Sequence, residues 1–248
     1  MGISEDFALD TFLTDPFPLE RYGYNLTHLA RQGVFAPSVK YEKYVASIFQ
    51  ILLRENKGKH SPLLLDSDER RRLQIVTETV RQMAKGEAPD SLSTKQVIAL
   101  NYEALFTFLP ASLEDPFSVA QQSEETAQEG DLARFSPEKG ADRLFSRPTL
   151  QQRNVSQIVF SRLQALFLAV RQTEGRVVLF VDHFHRLLGG EEQRYPIDAA
   201  NLLIPALARH AIQIIGACTL AQYRQHIERF AAIEFRLQAI CIESDDES

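Results

Sequence analysis

Five short apolar runs, spaced along the chain by polar stretches, limit the fold more than any other feature. They are Pro62-Leu63-Leu64-Leu65, Val97-Ile98-Ala99-Leu100, Val177-Val178-Leu179-Phe180-Val181, Gln213-Ile214-Ile215-Gly216-Ala217 and a last run over 238–242. A strand with one wet face alternates apolar and polar residues, whereas these runs are apolar on consecutive positions and suit strands covered on both faces. Helical spacing fills the intervals. Val45, Ile48, Phe49, Leu52 and Leu53 form the apolar stripe of a helix over 39–57, and further helices are expected over 68–85, stopped by Gly86, over 155–173 and over 199–209. Strand, helix, strand in repetition joins parallel neighbours by right-handed crossovers. The expected fold is a three-layer α/β/α sandwich around a five-stranded parallel sheet, with a core drawn from a chain that is 44% hydrophobic.

The flanking regions read differently. Residues 1–24 hold Phe7, Phe12 and Phe17 without a period and are expected to form an irregular N-terminal arm before a core over 25–242. Asp15-Pro16-Phe17 recurs as Asp115-Pro116-Phe117, which turn chemistry explains. Periodicity fails again over 110–154, where prolines at 110, 116, 137 and 148 mark a long inserted loop; Phe117, Leu132, Phe135, Leu144 and Phe145 within it are candidate apolar anchors for a partner. Residues 243–248 form an acidic tail. With 27 basic against 33 acidic residues, a net charge of -6, the chain has no general attraction for phosphate backbones or anionic lipid, so neither nucleic acid nor direct membrane insertion is expected. Cys218 and Cys241 lie in apolar runs as reduced core thiols, and Glu5, Asp6 and Asp10 stand where a signal peptide needs basic residues; a cytoplasmic setting is expected.

Ligands of such sandwiches sit beyond the carboxyl ends of the strands. After the first strand comes Asp66-Ser67-Asp68-Glu69-Arg70-Arg71-Arg72-Leu73, with no glycine loop, no lysine and no Ser or Thr placed for magnesium. Three carboxylates stand at the positive end of a helix, an ordinary capping arrangement that repels polyphosphate. After the third strand, Asp182 occupies the place of a magnesium-side acid, and His183, not a carboxylate, follows it. The histidines His183 and His185 are read as structural, and no metal is assigned. Cys218 ends the fourth strand as an inert thiol, and Thr219 caps the next helix.

Leu26-Thr27-His28-Leu29-Ala30-Arg31-Gln32-Gly33, the stretch Asp198 to Arg209 and the stretch Ile215 to Glu228 resemble the first AAA+ nucleotide-binding domain of the Clp-type unfoldases and disaggregases, the ClpB group with its type VI secretion relative ClpV. The resemblance implies a sheet in the order 5-1-4-3-2. It aligns the phosphate-loop lysine with Arg72, the magnesium-binding threonine with Leu73, the Walker B acid with Asp182, the catalytic glutamate with His183, the sensor with Cys218, and the paired arginines of the subunit interface with Phe235 and Arg236. The gripping pore loop is replaced by the insertion, and no helical lid is expected. Asp66, Asp68 and Glu69 complete the altered site. On this reading the chain is not an enzyme, carries no cofactor, and serves as an interaction or scaffold subunit. Its partners would be itself, an active AAA+ ATPase or subunits of a bacterial secretion or chaperone machine. The alternative is a weak nucleotide sensor or ATPase built on Arg70 to Arg72, Asp182 and His183.

Overall fold

In a computed structural model of the chain, residues 18–54, 58–107, 150–189 and 197–243 are described. The five apolar runs form strands β2 (Ser61–Leu65), β3 (Gln96–Leu100), β4 (Val177–Val181), β5 (Gln213–Cys218) and β6 (Leu237–Cys241). All pair in parallel, in the spatial order β3-β4-β5-β2-β6, which is the expected order read from the other edge. A sixth strand was not legible in advance. β1 (Gly23–Asn25) pairs antiparallel with β3, Gly23 opposite Leu100, on the edge of the sheet. It has three residues and no apolar run, so periodicity gave no sign of it; part of the stretch read as an irregular arm is sheet.

Side-chain alternation along the strands divides the core in two. Leu63, Leu65, Leu179, Val181 and Ile214 pack on one face against α4 (Leu150–Gln172) and α5 (Ala200–Ala208). Leu64, Val178, Phe180, Ile215 and Ala217 pack on the other, against α2 (Glu42–Leu52) and α3 (Glu69–Lys85), joined by α1 (Leu26–Arg31). β2, β4 and β5 are buried at every residue, the burial that unbroken apolar runs demand.

Local chemistry sets the helix ends. Asp68 caps α3 and Gly86 ends it at φ 73°, a left-handed geometry that glycine adopts without the Cβ penalty. α2 begins after a single 3-10 turn, Val39–Tyr41, and stops at Leu52 with Leu53 as its C-cap, short of the expected 57. α4 starts at Leu150, inside the span read as insertion. The candidate anchors Phe117, Leu132, Phe135, Leu144 and Phe145 lie outside the described residues. Among the described residues no helix is long and apolar enough to cross a membrane.

Candidate functional site

Parallel pairing places the carboxyl ends of β2, β4 and β5 side by side, so Asp66, Asp182 and Cys218 meet although they are far apart in sequence. Leu65 is in register with Cys218 and Val181 with Gly216, and the Asp66 amide donates to the Cys218 carbonyl at 3.1 Å. One turn into α3, Arg72 reaches back into this corner. Its side chain is 1% exposed; Nη1 donates to the Asp66 carbonyl at 2.7 Å, while Nε and Nη2 lie 3.3 and 3.2 Å from Asp182 Oδ1. A guanidinium can do this because its donors form a rigid fork; a lysine ammonium would serve one oxygen well and not the other.

The other acids are engaged as well. Asp68 accepts from the amides of Arg70 and Arg71 at 2.9 and 3.3 Å, using free N–H groups of the kind that bind phosphate at a helix N-terminus. Asp66 Oδ1 accepts from the Asp68 amide, and its Oδ2 lies 2.7 Å from Arg71 Nε in an ion pair whose N–H is not aimed at the oxygen. The three arginines diverge: Arg70 is exposed, Arg71 half-buried, Arg72 buried.

Beyond β4 the chain turns at His183, whose φ of 48° is left-handed, with its amide donating to Asp182 Oδ1 at 2.8 Å. His183 Nε2 lies 3.9 Å from both Glu69 Oε2 and Asp182 Oδ2, and ligand atoms of the three residues fall within 4.8 Å of one another. Although no metal was assigned from the sequence, these groups could approach a cation; the Arg72 charge on Asp182 opposes one. His185 turns inward against His226, ring centroids 5.5 Å apart, and both are buried with Nδ1 unpartnered. Burial first, then the neighbouring His183 and His226, lowers the His185 pKa to about 4. Burial pushes the Cys218 thiol up to about 12, against a smaller opposing effect of Arg72. The sequence places Arg71 only among the three arginines of the alternative site and His226 only within the stretch Ile215 to Glu228; nothing in their spacing marks what either one contacts.

Three aligned residues lie away from this corner. Leu73 is 46% exposed and makes no part of the site. Phe235 and Arg236 precede β6 at the opposite end of the sheet: Leu237 is in register with Ser61, and the Arg236 carbonyl accepts from the Ser61 amide. Five residues of strand, about 16 Å, separate them from the Asp66 end. Arg236 lies over the Phe235 ring, 5.6 Å from its centroid.

No family model matches the chain. It is 29% identical over 224 residues to the chaperone protein ClpB of Rhodopirellula baltica, covering 90% of this chain and 20% of that one. It is likewise 29% identical over 230 residues to ClpB of Aquifex aeolicus, covering 93% and 18%. The chain thus spans about a fifth of the length of these relatives. Among solved structures it is similar to Hsp104 in a closed state with ATPγS and FITC-casein, at TM-score 0.63 and 23% identity over 92% of this chain and 32% of that one. It is similar too to the S. cerevisiae Hsp104–ADP complex, at TM-score 0.62 and 23% identity over 91% and 25%. The expectation that the chain is not an enzyme is corrected by these findings. Its relatives are ClpB chaperones, its structural neighbours were solved with ATPγS or ADP, and no feature of the site shows that the chain lacks enzymatic activity. The chain is a homologue of the ClpB chaperones, and its fold is that of a Clp-type AAA+ domain.

Proposed function

We propose that the chain is a Clp-like AAA+ module that acts through protein contacts within a larger cytoplasmic assembly, with its nucleotide corner occupied by its own side chains. The observation that carries this reading is the buried Arg72 fork on Asp182 and the Asp66 carbonyl. Nucleotide with magnesium would have to displace Arg72 from Asp182 and meet Asp66, Asp68 and Glu69, so assembly is a property that does not wait on it. Phe235, which stands in place of the first interface arginine, and Arg236, where the second is retained, lie on an outer edge of the sheet, Phe235 being 59% exposed. Partners of this kind include a second copy, an active AAA+ ATPase, or subunits of a secretion or chaperone machine, the last by family analogy.

Sedimentation velocity of the chain, alone and mixed with a ClpB-type ATPase, tests this. Complexes that form without nucleotide and survive Asp182→Asn support it. Complexes that appear only with ATP, or none at all, overturn it.

A further inference from the structure

The face at the amino ends of the strands carries a furrow unlike the corner just described. Side chains from the last turns of α4 and from α5 border it. Phe167 and Leu168 from α4 and Leu202, Pro205 and Ala206 from α5 line a groove of about 240 Å³, floored by Ile212. That volume lies below the range of small-molecule pockets and suits one large side chain. Arg171 and Arg209 stand at its mouth, both exposed, and among the described residues no carboxylate pairs with either. Ile212 also borders a second, polar basin of about 360 Å³. There Lys95 Nζ donates to Gln213 Oε1 at 2.6 Å and Arg176 Nε to the Thr173 carbonyl at 3.1 Å, which holds both cations in place.

Charge sorts the candidate occupants. Four cations, Lys95, Arg171, Arg176 and Arg209, border the two basins, against a single carboxylate, Glu174, among their described lining residues. This concentration sits on a chain whose net charge is -6. An RNA or DNA backbone brings charge to every part of the surface it crosses and would be repelled by the remainder, and its phosphates gain nothing from the apolar floor of an open groove. A lipid surface is flat, while the Phe167–Pro205 groove is concave. A peptide with one large apolar side chain flanked by carboxylates satisfies both halves: the apolar group fills the groove and the acids meet the arginines, with buried apolar area giving affinity and charge giving register.

We propose that this furrow docks a partner's acidic segment through one apolar anchor. The inference rests on the interaction reading and names the face and the partner's chemistry.

The test is selection of binders to the whole chain from a displayed library of random peptides. Selected peptides should carry Asp or Glu beside Phe or Leu, and Arg171→Glu/Arg209→Glu should weaken them by about tenfold or more, in line with loss of close charge pairs. The double variant should favour basic–apolar peptides instead. Leu168→Asp, at a residue 48% exposed, should also abolish binding of the acidic set, and thermal unfolding of each variant should match the parent. Selected peptides that bind both variants at full strength, or that lack acids, overturn the proposal. So does binding of an RNA oligonucleotide or phosphatidylserine vesicles that the double variant loses while no acidic peptide is enriched. Peptide docking in a chain that shows no assembly by sedimentation would overturn the assembly reading and leave the furrow standing, so the two fail separately.

Discussion

Replacing Arg72 by alanine removes three hydrogen bonds at once from a side chain that is 1% exposed. Deleting one member of a fully buried ion pair costs about 3–5 kcal/mol, because the other charge is left without compensation. Here Asp182 keeps 23% side-chain exposure, so water can take over part of its solvation and the electrostatic share falls to about 1–2 kcal/mol. The Asp66 carbonyl, left without its 2.7 Å donor, adds about 1 kcal/mol, and the cavity of the lost stem adds roughly another 1–2 kcal/mol. The total is about 3–5 kcal/mol, or a fall of roughly 6–20 °C in Tm for a domain of this size. Arg72→Lys keeps the charge but not the fork and should cost about 1–2 kcal/mol. Urea unfolding followed by circular dichroism, with parent, Arg72→Ala, Arg72→Lys and Asp182→Asn side by side, measures these differences. If Arg72→Ala costs under about 1 kcal/mol, the guanidinium is a group held ready for a ligand and not a structural member of the corner.

Acid should act through His185. Its folded pKa of about 4 lies below its unfolded value near 6.5, so the unfolded chain binds the proton first; stability is full above about pH 6.5 and falls as pH drops toward 4. The loss is about 2–3 kcal/mol at most, and a His185→Gln variant should show a flatter stability profile across that window, while an unchanged profile would refute the assignment. Cys241, on edge strand β6, is exposed and not the core thiol expected, so Ellman's reagent should label it at once and buried Cys218, with its thiol pushed up to about 12, only on unfolding. Prompt release of both thiols from the folded chain would contradict the packing. Gly216→Ala should cost about 1–3 kcal/mol by thermal denaturation, because a Cβ there would lie 2.8 Å from Leu63 Cδ1 and 3.4 Å from Phe184 Cδ2; a neutral result would mean that this face of the sheet is loosely packed.

Most of the sheet was legible because consecutive burial leaves a strong mark. Val177 to Val181 is apolar at every position between two helical patterns, and the strand order followed from resemblance over the last third. β1 escaped because a three-residue edge strand needs only backbone pairing with Ile98 to Leu100, and Gly23-Tyr24-Asn25 has no apolar pattern to show it. At the site, the positions of Asp66, Asp182 and Cys218 could be inferred from strand ends, since parallel register brings such ends together. What Arg72 does there could not. Whether a side chain on the first turn of a helix folds inward depends on a carboxylate and a carbonyl 110 and 6 residues away. The remoteness of Phe235 and Arg236 is of the same kind: alignment gives a position in a pattern, and only the register of β6 on β2 shows which end of the sheet it occupies.

Titration calorimetry of the whole chain with magnesium ATPγS, beside the same titration of Arg72→Ala, decides whether the corner is filled by the protein itself. With Arg72 on Asp182 and Asp68 on the helix amides, the parent should give no saturable heat, which places any Kd above about 1 mM. Saturable binding tighter than that in the parent, lost in Asp182→Asn, would show that nucleotide displaces Arg72 readily and that the corner is a working site.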